Sequence, residues 1–314
     1  MDIAEQLLDL ATKAGAEVAE VYQAKSLSRP VFFEANRLKQ LETAQSEGIA
    51  LRLWKDGKPG LAVAYGAVEP HVLVAKSIEL SQLNETETPE LNGADRNIYP
   101  DLGHTIPMEE LVEMGKIAID LVRSDFPDAI CSSQWDCDIE TTRLVNSLGL
   151  SCSYTDTTLS GYLAVEWIRG DDFLSVGDGQ TQRGHLDPYK IAQSVLKRLY
   201  WAKKNVNPPI GRVPVLFTAK AADMLWETVQ AALNGKQVFE GASPWSDRLG
   251  QKVVSPLLTL TQAPDYGPFS CPFDDEGSPT RTLTLIQEGK LKLFYADRTI
   301  GRQLGSGSTG NGFR

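Results

Sequence analysis

The sequence predicts an α+β protein of two domains: a mixed α/β domain over residues 1–204, a linker at 205–212 and a mainly β domain over 213–314. Three observations carry this expectation. A chain of 314 residues exceeds what one compact core commonly holds. Helix-period segments and alternating, strand-like runs are interleaved in its N-terminal part. Finally, Asn205-Val-Asn-Pro-Pro-Ile-Gly211 interrupts the pattern with two prolines and a glycine, as a linker would.

Residues 3–14 read as an amphipathic helix with Ile3, Leu7, Leu8, Ala11 and Ala14 on one side. Strands are expected at Val18–Ala24, at Val31–Leu41 after Pro30, and at Gly48–Trp54, where Ile49, Leu51 and Leu53 alternate. Lys55-Asp-Gly-Lys-Pro-Gly60 is a turn signal, and Leu61–Tyr65 returns as the hairpin partner. Val72–Leu83 and Met108–Leu121 have helical spacing, and polar Asn84–Pro100 between them reads as a loop. From Ile130 to Val176 the pattern becomes short alternating runs, including Leu150–Tyr154 and Gly161–Ile168, broken at Asn146–Gly149 and Arg169–Asp172; this is an antiparallel meander. Pro188–Arg198 is helical, with Asp187 placed to cap it. Beyond the linker, Val213–Thr218 reads as a strand leading into a helix at 221–233. Thr282–Ile286 and Lys290–Tyr295 flank Gln287-Glu288-Gly289 as a hairpin, and Ala296–Leu304 looks helical.

Composition excludes several classes. The chain is 42% hydrophobic and 23% charged, with 31 basic against 41 acidic residues, a net charge of −10. Phosphate affinity comes from clustered Lys and Arg, so no nucleic-acid partner is expected. Asp2, Glu5 and Asp9 in the first helix do not suit a signal peptide, and no apolar run reaches the roughly 18 residues of a membrane span. The expectation is a cytoplasmic protein with no membrane partner.

Candidate chemistry is sparse. Cys131, Cys137, Cys152 and Cys271 are the only cysteines. In Cys131-Ser-Ser-Gln-Trp-Asp-Cys137, alternation puts Cys131, Ser133, Trp135, Cys137 and Ile139 on one strand face. Six strand residues separate the sulfurs by about 20 Å, against the roughly 7 Å between Cα atoms that a disulfide tolerates. Buried, reduced thiols are expected. The histidines, His71, His104 and His185, form no close pair, and His185-Leu-Asp187 reads as a turn into the next helix. In the helix at 221–233, Trp226, Val229 and Leu233 share helical spacing, which suits a core or interface aromatic. Asp274-Asp275-Glu276-Gly277 lacks the alternating spacing of a calcium loop. It reads instead as a tight turn whose carboxylates accept backbone N–H bonds, with Gly277 in a conformation costly for other residues. Gly305-x-Gly307-x-x-Gly310 follows a helical segment rather than a strand, so it does not qualify as a dinucleotide fingerprint.

The order of these segments resembles the TldD/PmbA family of two-subunit metallopeptidases. The resemblance rests on Ala19-Glu-Val-Tyr22, Phe33-Glu-Ala-Asn-Arg-Leu-Lys39, the Gly48…Arg52…Asp56-Gly57 run, the 221–231 helix, Gly241-Ala-Ser-Pro244, Arg248-Leu-Gly250, Cys271–Arg281, Leu293…Asp297-Arg298 and Ser308–Arg314. In the catalytic TldD branch the helix reads His-Glu-x-x-x-His; here the matching positions are Trp226, Glu227 and Ala231. Zinc takes imidazole, thiolate or carboxylate donors, and neither an indole nor a methyl group supplies one. Glu227 would then have no metal-bound water to activate. The resemblance is therefore to the PmbA (TldE) branch, with no catalytic, cofactor-binding or metal residue in this chain.

What the resemblance implies is a non-catalytic subunit whose TldD-like His-Glu-x-x-x-His partner supplies zinc, the heterodimer acting on unfolded or small peptides. Asp274, Asp275 and Glu276 are candidates to line the shared cavity. Family members continue past the motif at 308–314, so the chain reads as a fragment with an incomplete second domain. Two other readings stay open: a peptide-binding homodimer without proteolytic role, and an independent hydrolase completed by further C-terminal sequence.

Overall fold

The computed structural model describes residues 2–93, 96–204 and 206–313. Met1, Ala94 and Asp95, Asn205 of the expected linker and Arg314 lie outside the described residues. The chain is a mixed α/β protein built on one large sheet.

Helix α1 (Ile3–Lys13) leads into β1 (Val18–Ser28), β2 (Val31–Glu34), β3 (Arg37–Leu41), β4 (Ala44–Lys55) and β5 (Lys58–Tyr65). Val31–Leu41, expected as one strand, is a two-strand hairpin. Glu34 pairs with Arg37 across Ala35 and Asn36, both at positive φ (49° and 67°). The alternation gives no hint of this turn, because alanine pays for left-handed backbone. Tertiary hydrogen bonds offset that cost. The Asn36 amide accepts from Cys131 N (2.8 Å) and donates to the Ala129 carbonyl (3.2 Å). The Asp56-Gly57 turn between β4 and β5 follows the sequence signal, with φ of 53° and 69°.

Helix α2 (Pro70–Ser81), the short β6 (Arg96–Ile98) and helix α3 (Met108–Asp125) come next. Three long strands follow: β7 (Ile130–Asn146), β8 (Ser151–Arg169) and β9 (Asp172–Gln182), and then helix α4 (Pro188–Trp201). The meander was expected, but its strands are continuous. Leu150–Tyr154 and Gly161–Ile168 belong to one stretch of 19 residues. The sequence looked broken because the middle of β8, Thr155-Asp-Thr-Thr158, is polar on both faces; elsewhere the alternation holds. Trp135, Leu159 and Leu163 are buried in a core with α3 and α4, while Gln134, Glu140 and Tyr162 alternate to the other side. As expected, Asp187 caps α4, its carboxylate accepting from Tyr189 N and Lys190 N.

β7 organises the sheet. β8 runs antiparallel along one side, while the other side pairs with β1 over 138–146 and with β2 over 133–135. Asp136 lies where one partner gives way to the next, accepting from Ser28 Oγ (2.8 Å) and Arg29 N (3.0 Å). Burial raises its carboxyl pKa against the hydrogen bond from Ser28. The folded state thus holds this proton more tightly than the unfolded chain does. Its stabilising contribution is full below the ordinary carboxylate pKa and fades as pH rises through the raised value. In Asp136→Asn, the amide oxygen still accepts from Arg29 and the NH2 donates to Ser28. Urea unfolding should show the variant gaining on the wild type between pH 3 and pH 7.

All four of these helices pack on one face. Ala4, Leu7, Leu73 and Val74 meet Val21, Leu51 and Leu53, and Leu111, Ala118, Ile191 and Val195 meet Trp135, Leu159 and Leu163. α3 comes so close to β2 that a Cβ on Gly115 would lie 2.2 Å from the Phe33 ring.

The C-terminal region holds α5 (Asp223–Leu233), α6 (Gly235–Phe239), a three-stranded antiparallel sheet of β10 (Leu260–Gln262), β11 (Leu283–Gln287) and β12 (Lys290–Leu291), and α7 (Arg298–Gln303). The hairpin at Glu288-Gly289 is where the sequence placed it. Val213–Thr218, expected as a strand, forms none. It is exposed and pairs with no strand among the described residues. This region docks on the helix-free face of the large sheet, where Phe273 packs with Leu144, Cys152, Tyr22, Tyr99 and Tyr154. A polar clasp reinforces it. Arg183 grips both carboxylate oxygens of Asp156 (2.7 and 2.6 Å) while donating to the carbonyls of Gly267 (2.9 Å) and Ser270 (2.5 Å) and to Ser270 Oγ (2.7 Å).

Among the described residues no helix is long and apolar enough to cross a membrane.

Candidate functional site

α5 begins at the surface and becomes buried only at its end. Ala221 and Ala222 donate to the Thr218 carbonyl (3.0 and 2.9 Å), a turn that starts the helix. Its final turn is held by Ser243 Oγ on the Ala232 carbonyl (2.6 Å) and Tyr295 Oη on the Gln230 carbonyl (3.1 Å). Trp226 is half-buried, whereas Glu227 and Ala231 are exposed. Met224 and Leu225 beside them are also exposed, as are Val215 and Leu216 just upstream. An indole and a methyl group carry no metal donor, which leaves Glu227 alone at the three positions. Among the described residues no three His, Cys, Asp or Glu side chains gather in a way that could hold a metal ion. The donor set on this helix does not fit zinc.

The acidic turn behaves as its sequence suggested. Asp274 has no exposed surface, and its carboxylate accepts three backbone N–H bonds, from Glu276 (3.0 Å), Ser278 (2.8 Å) and Gly312 (2.7 Å). Gly277 takes φ of 70°, and a Cβ there would lie 2.6 Å from Leu150. Glu276 accepts from Arg298 N (3.0 Å) in the first turn of α7, while Asp297 caps that helix through Ile300 N (2.7 Å). Asn92 closes the knot, donating to the Glu276 carbonyl (2.6 Å) and accepting from the Arg298 guanidinium. Asp274 and Glu276 therefore bind backbone.

Asp275 points elsewhere. With Glu20 and Tyr22 of β1, Ala50 and Arg52 of β4, and Leu61 and Val63 of β5, it lines a cavity of about 250 Å³. Arg52 and Glu20, facing each other across β1 and β4, form an ion pair of 2.9 Å that is mostly buried. Burial, followed by the nearby Asp275 charge, raises the Tyr22 hydroxyl above its ordinary pKa. A second cavity, about 620 Å³, lies against Tyr162, Gly179, Lys220, Asp223 and Phe269, so the first residue of α5 borders the open sheet face. Lys220 there is bonded to Asp178. Burial alone would raise the Asp178 carboxyl, but bonds from Lys220, Ser194 and Gly179 N outweigh it and hold it below the usual range.

Two of the thiols, Cys131 and Cys271, are not poised for chemistry. Burial pushes Cys131 up to about 11. Burial, with Asp275 and Asp274 adding to it, does the same to Cys271. A thiol that stays protonated at neutral pH is a poor nucleophile. Among the described residues none of the four cysteines is joined in a disulfide.

The structure thus places the acidic turn and the start of α5 against different cavities. Sequence reasoning singled out Asp275 but missed its neighbours Glu20 and Tyr22, and it missed the Arg183–Asp156 clasp. One signal for the former was visible: Glu20 and Tyr22, two apart among the apolar Val18, Ala19 and Val21, must share one strand face.

Comparison with known proteins gives a consistent result. Residues 19–68 match PmbA/TldA metallopeptidase domain 1, and residues 210–314 match the PmbA/TldA metallopeptidase C-terminal domain. An uncharacterized protein of Methanocaldococcus jannaschii is 26% identical over 100% of this chain and 74% of its own length. A metalloprotease PmbA homolog of Haemophilus influenzae is 24% identical, over 97% of this chain and 71% of its own. Among solved structures, TldE from Thermococcus kodakarensis superposes with a TM-score of 0.87 at 24% identity, covering 100% of this chain and 74% of that one; this likeness shows the fold.

Proposed function

We propose that this chain, which belongs to the TldD/PmbA family, is the non-catalytic subunit of a cytoplasmic zinc metallopeptidase complex that degrades or processes unfolded or small peptides. Its partner is a related subunit carrying His-Glu-x-x-x-His and the zinc. The observation that carries this reading is the contrast between α5 and the rest of the C-terminal region. The acidic turn, the α7 cap and the Asn92 contacts form a complete hydrogen-bonded scaffold. In the same C-terminal region, α5 presents Trp226 and Ala231 where the catalytic branch has ligands. A scaffold kept without its donors suits a chain that shapes a cavity rather than one that activates water.

Exposed Met224 and Leu225 on α5, with Val215 and Leu216 exposed upstream of it, support a partner for this region, since exposed apolar side chains favour protein association. A pair of related chains with one active centre is a pseudo-symmetric assembly.

The test is cleavage of an unstructured peptide by the His-Glu-x-x-x-His subunit with and without this chain. Cleavage only in the mixture, abolished by zinc chelation, is expected. Equal cleavage without this chain would overturn the subunit role.

A further inference from the structure

β9 carries two glycines at alternate positions in its middle, Gly177 and Gly179. A glycine inside a strand often marks a close approach to its surface, and here the approaching group is Tyr162. It pairs with Gly179 across β8 and β9. It lies on the helix-free face of the sheet, because Leu163 beside it is buried against the helices. A Cβ on Gly179 would lie 2.9 Å from the Tyr162 ring, and one on Gly177 only 2.2 Å from its hydroxyl oxygen. The ring is therefore laid along β9 over both glycines, and the residue is still 51% exposed. It lines the cavity of about 620 Å³ that also reaches Asp223 at the start of α5. Phe269, 86% exposed, lines the same cavity from the loop that Arg183 holds through Gly267 and Ser270.

We propose that this cavity takes an aromatic side chain of a bound peptide, stacked on the Tyr162 ring. The inference rests on the peptide-binding reading above and names the residue class that the chain favours. Aromatic rings attract one another beyond the area they bury, and a ring laid flat on glycines is already oriented for that contact. Gln134, Gln180 and Thr181 add amide and hydroxyl groups to the lining. These can donate to and accept from the peptide units on either side of the bound ring. A concave site with an apolar platform and a few convergent polar groups is the usual form of a ligand pocket. An aliphatic side chain of the same size would fill the space without the attraction between rings.

The test is fluorescence anisotropy with this chain and three labelled, unstructured peptides that differ at one central position: phenylalanine, cyclohexylalanine or alanine. All three are uncharged there, so Lys220 and Asp223 in the lining do not enter the comparison. Phenylalanine should bind about fivefold more tightly than cyclohexylalanine, the worth of one aromatic pair beyond its buried area, and alanine should bind least. Tyr162→Leu should bring phenylalanine down to the cyclohexylalanine level. Gly177→Ala keeps the ring, but its methyl group displaces the ring from the strand and should remove the preference as well. A cooperative urea transition shows that each variant is folded. Equal binding of phenylalanine and cyclohexylalanine to the wild type, or a preference that survives either substitution, would overturn the proposal. If no peptide binds while cleavage by the partner still requires this chain, the aromatic subsite alone falls. If neither assay responds, the peptide-binding reading falls with it.

Discussion

Replacing Asp274 with alanine is expected to cost about 3 kcal/mol or more and to loosen the C-terminal region selectively. The side chain is enclosed and accepts the backbone N–H groups of Glu276, Ser278 and Gly312. Each buried donor left without an acceptor costs about 1–3 kcal/mol, and no water can reach a residue with no exposed surface. The loss should be local first. Gly312 and the acidic turn would separate, Glu276 would lose its place at Arg298 N, and α7 would lose an anchor. Limited proteolysis should therefore open cleavage sites between residues 264 and 313 at temperatures where the large sheet is intact. Asp274→Asn should fall between the two, because its amide keeps one acceptor oxygen and gains a donor with nowhere to go. Wild-type protease resistance in Asp274→Ala would show that the knot does not hold this region.

Arg183→Met should be of similar severity, for an electrostatic reason. The guanidinium answers both oxygens of Asp156 and three acceptors on the loop carrying Gly267 and Ser270. Both side chains are largely buried. Removing one member of a buried pair leaves an uncompensated charge, which costs about 3–5 kcal/mol. Methionine keeps much of the stem volume, so the effect isolates the charge. Asp156→Asn in the same chain removes the orphaned carboxylate and should recover part of the loss. The double-mutant cycle, measured by urea unfolding, should give a coupling of about 2 kcal/mol. Additive effects would mean that the contact is incidental to docking.

How far the sequence could be read depended on what kind of information each element needed. α1, α3, α4 and α5 were legible because their apolar positions recur at helical spacing over ten residues or more. The Asp56-Gly57 and Glu288-Gly289 turns were legible because their glycines hold positive φ without strain. The Ala35-Asn36 turn was not, since it depends on Asn36 bonding to the start of β7, almost a hundred residues away. β7 and β8 looked fragmented because Glu140–Arg143 and Thr155–Thr158 are polar on both faces, which interrupts the apolar alternation. Val213–Thr218 failed the other way: its residues have strand propensity, but a strand needs a neighbour. At the candidate site the acidic turn was readable in detail, since Asp274 and Gly277 obey local turn chemistry. The cavity was not. It is assembled from β1, β4, β5 and residue 275, and spacing along the chain says nothing about which strand face a distant turn will meet.

The position of β7 has a consequence for how the protein acquires its shape. Pairing β4 with β5, or β7 with β8, closes short loops, whereas Ser28 meets Asp138 only after more than a hundred intervening residues. Closing a longer loop carries a larger entropic cost, and contacts of high sequence separation slow folding. Two hairpin-rich halves can thus form on their own timescales, and the seam between β1 and β7 is where they must find register. The last contacts have greater separations still, as between Asn92 and Arg298 or Glu90 and Arg302. In a chain emerging from synthesis, completion of the cavity at Asp275 must therefore wait until long after β1, β4 and β5 have been made.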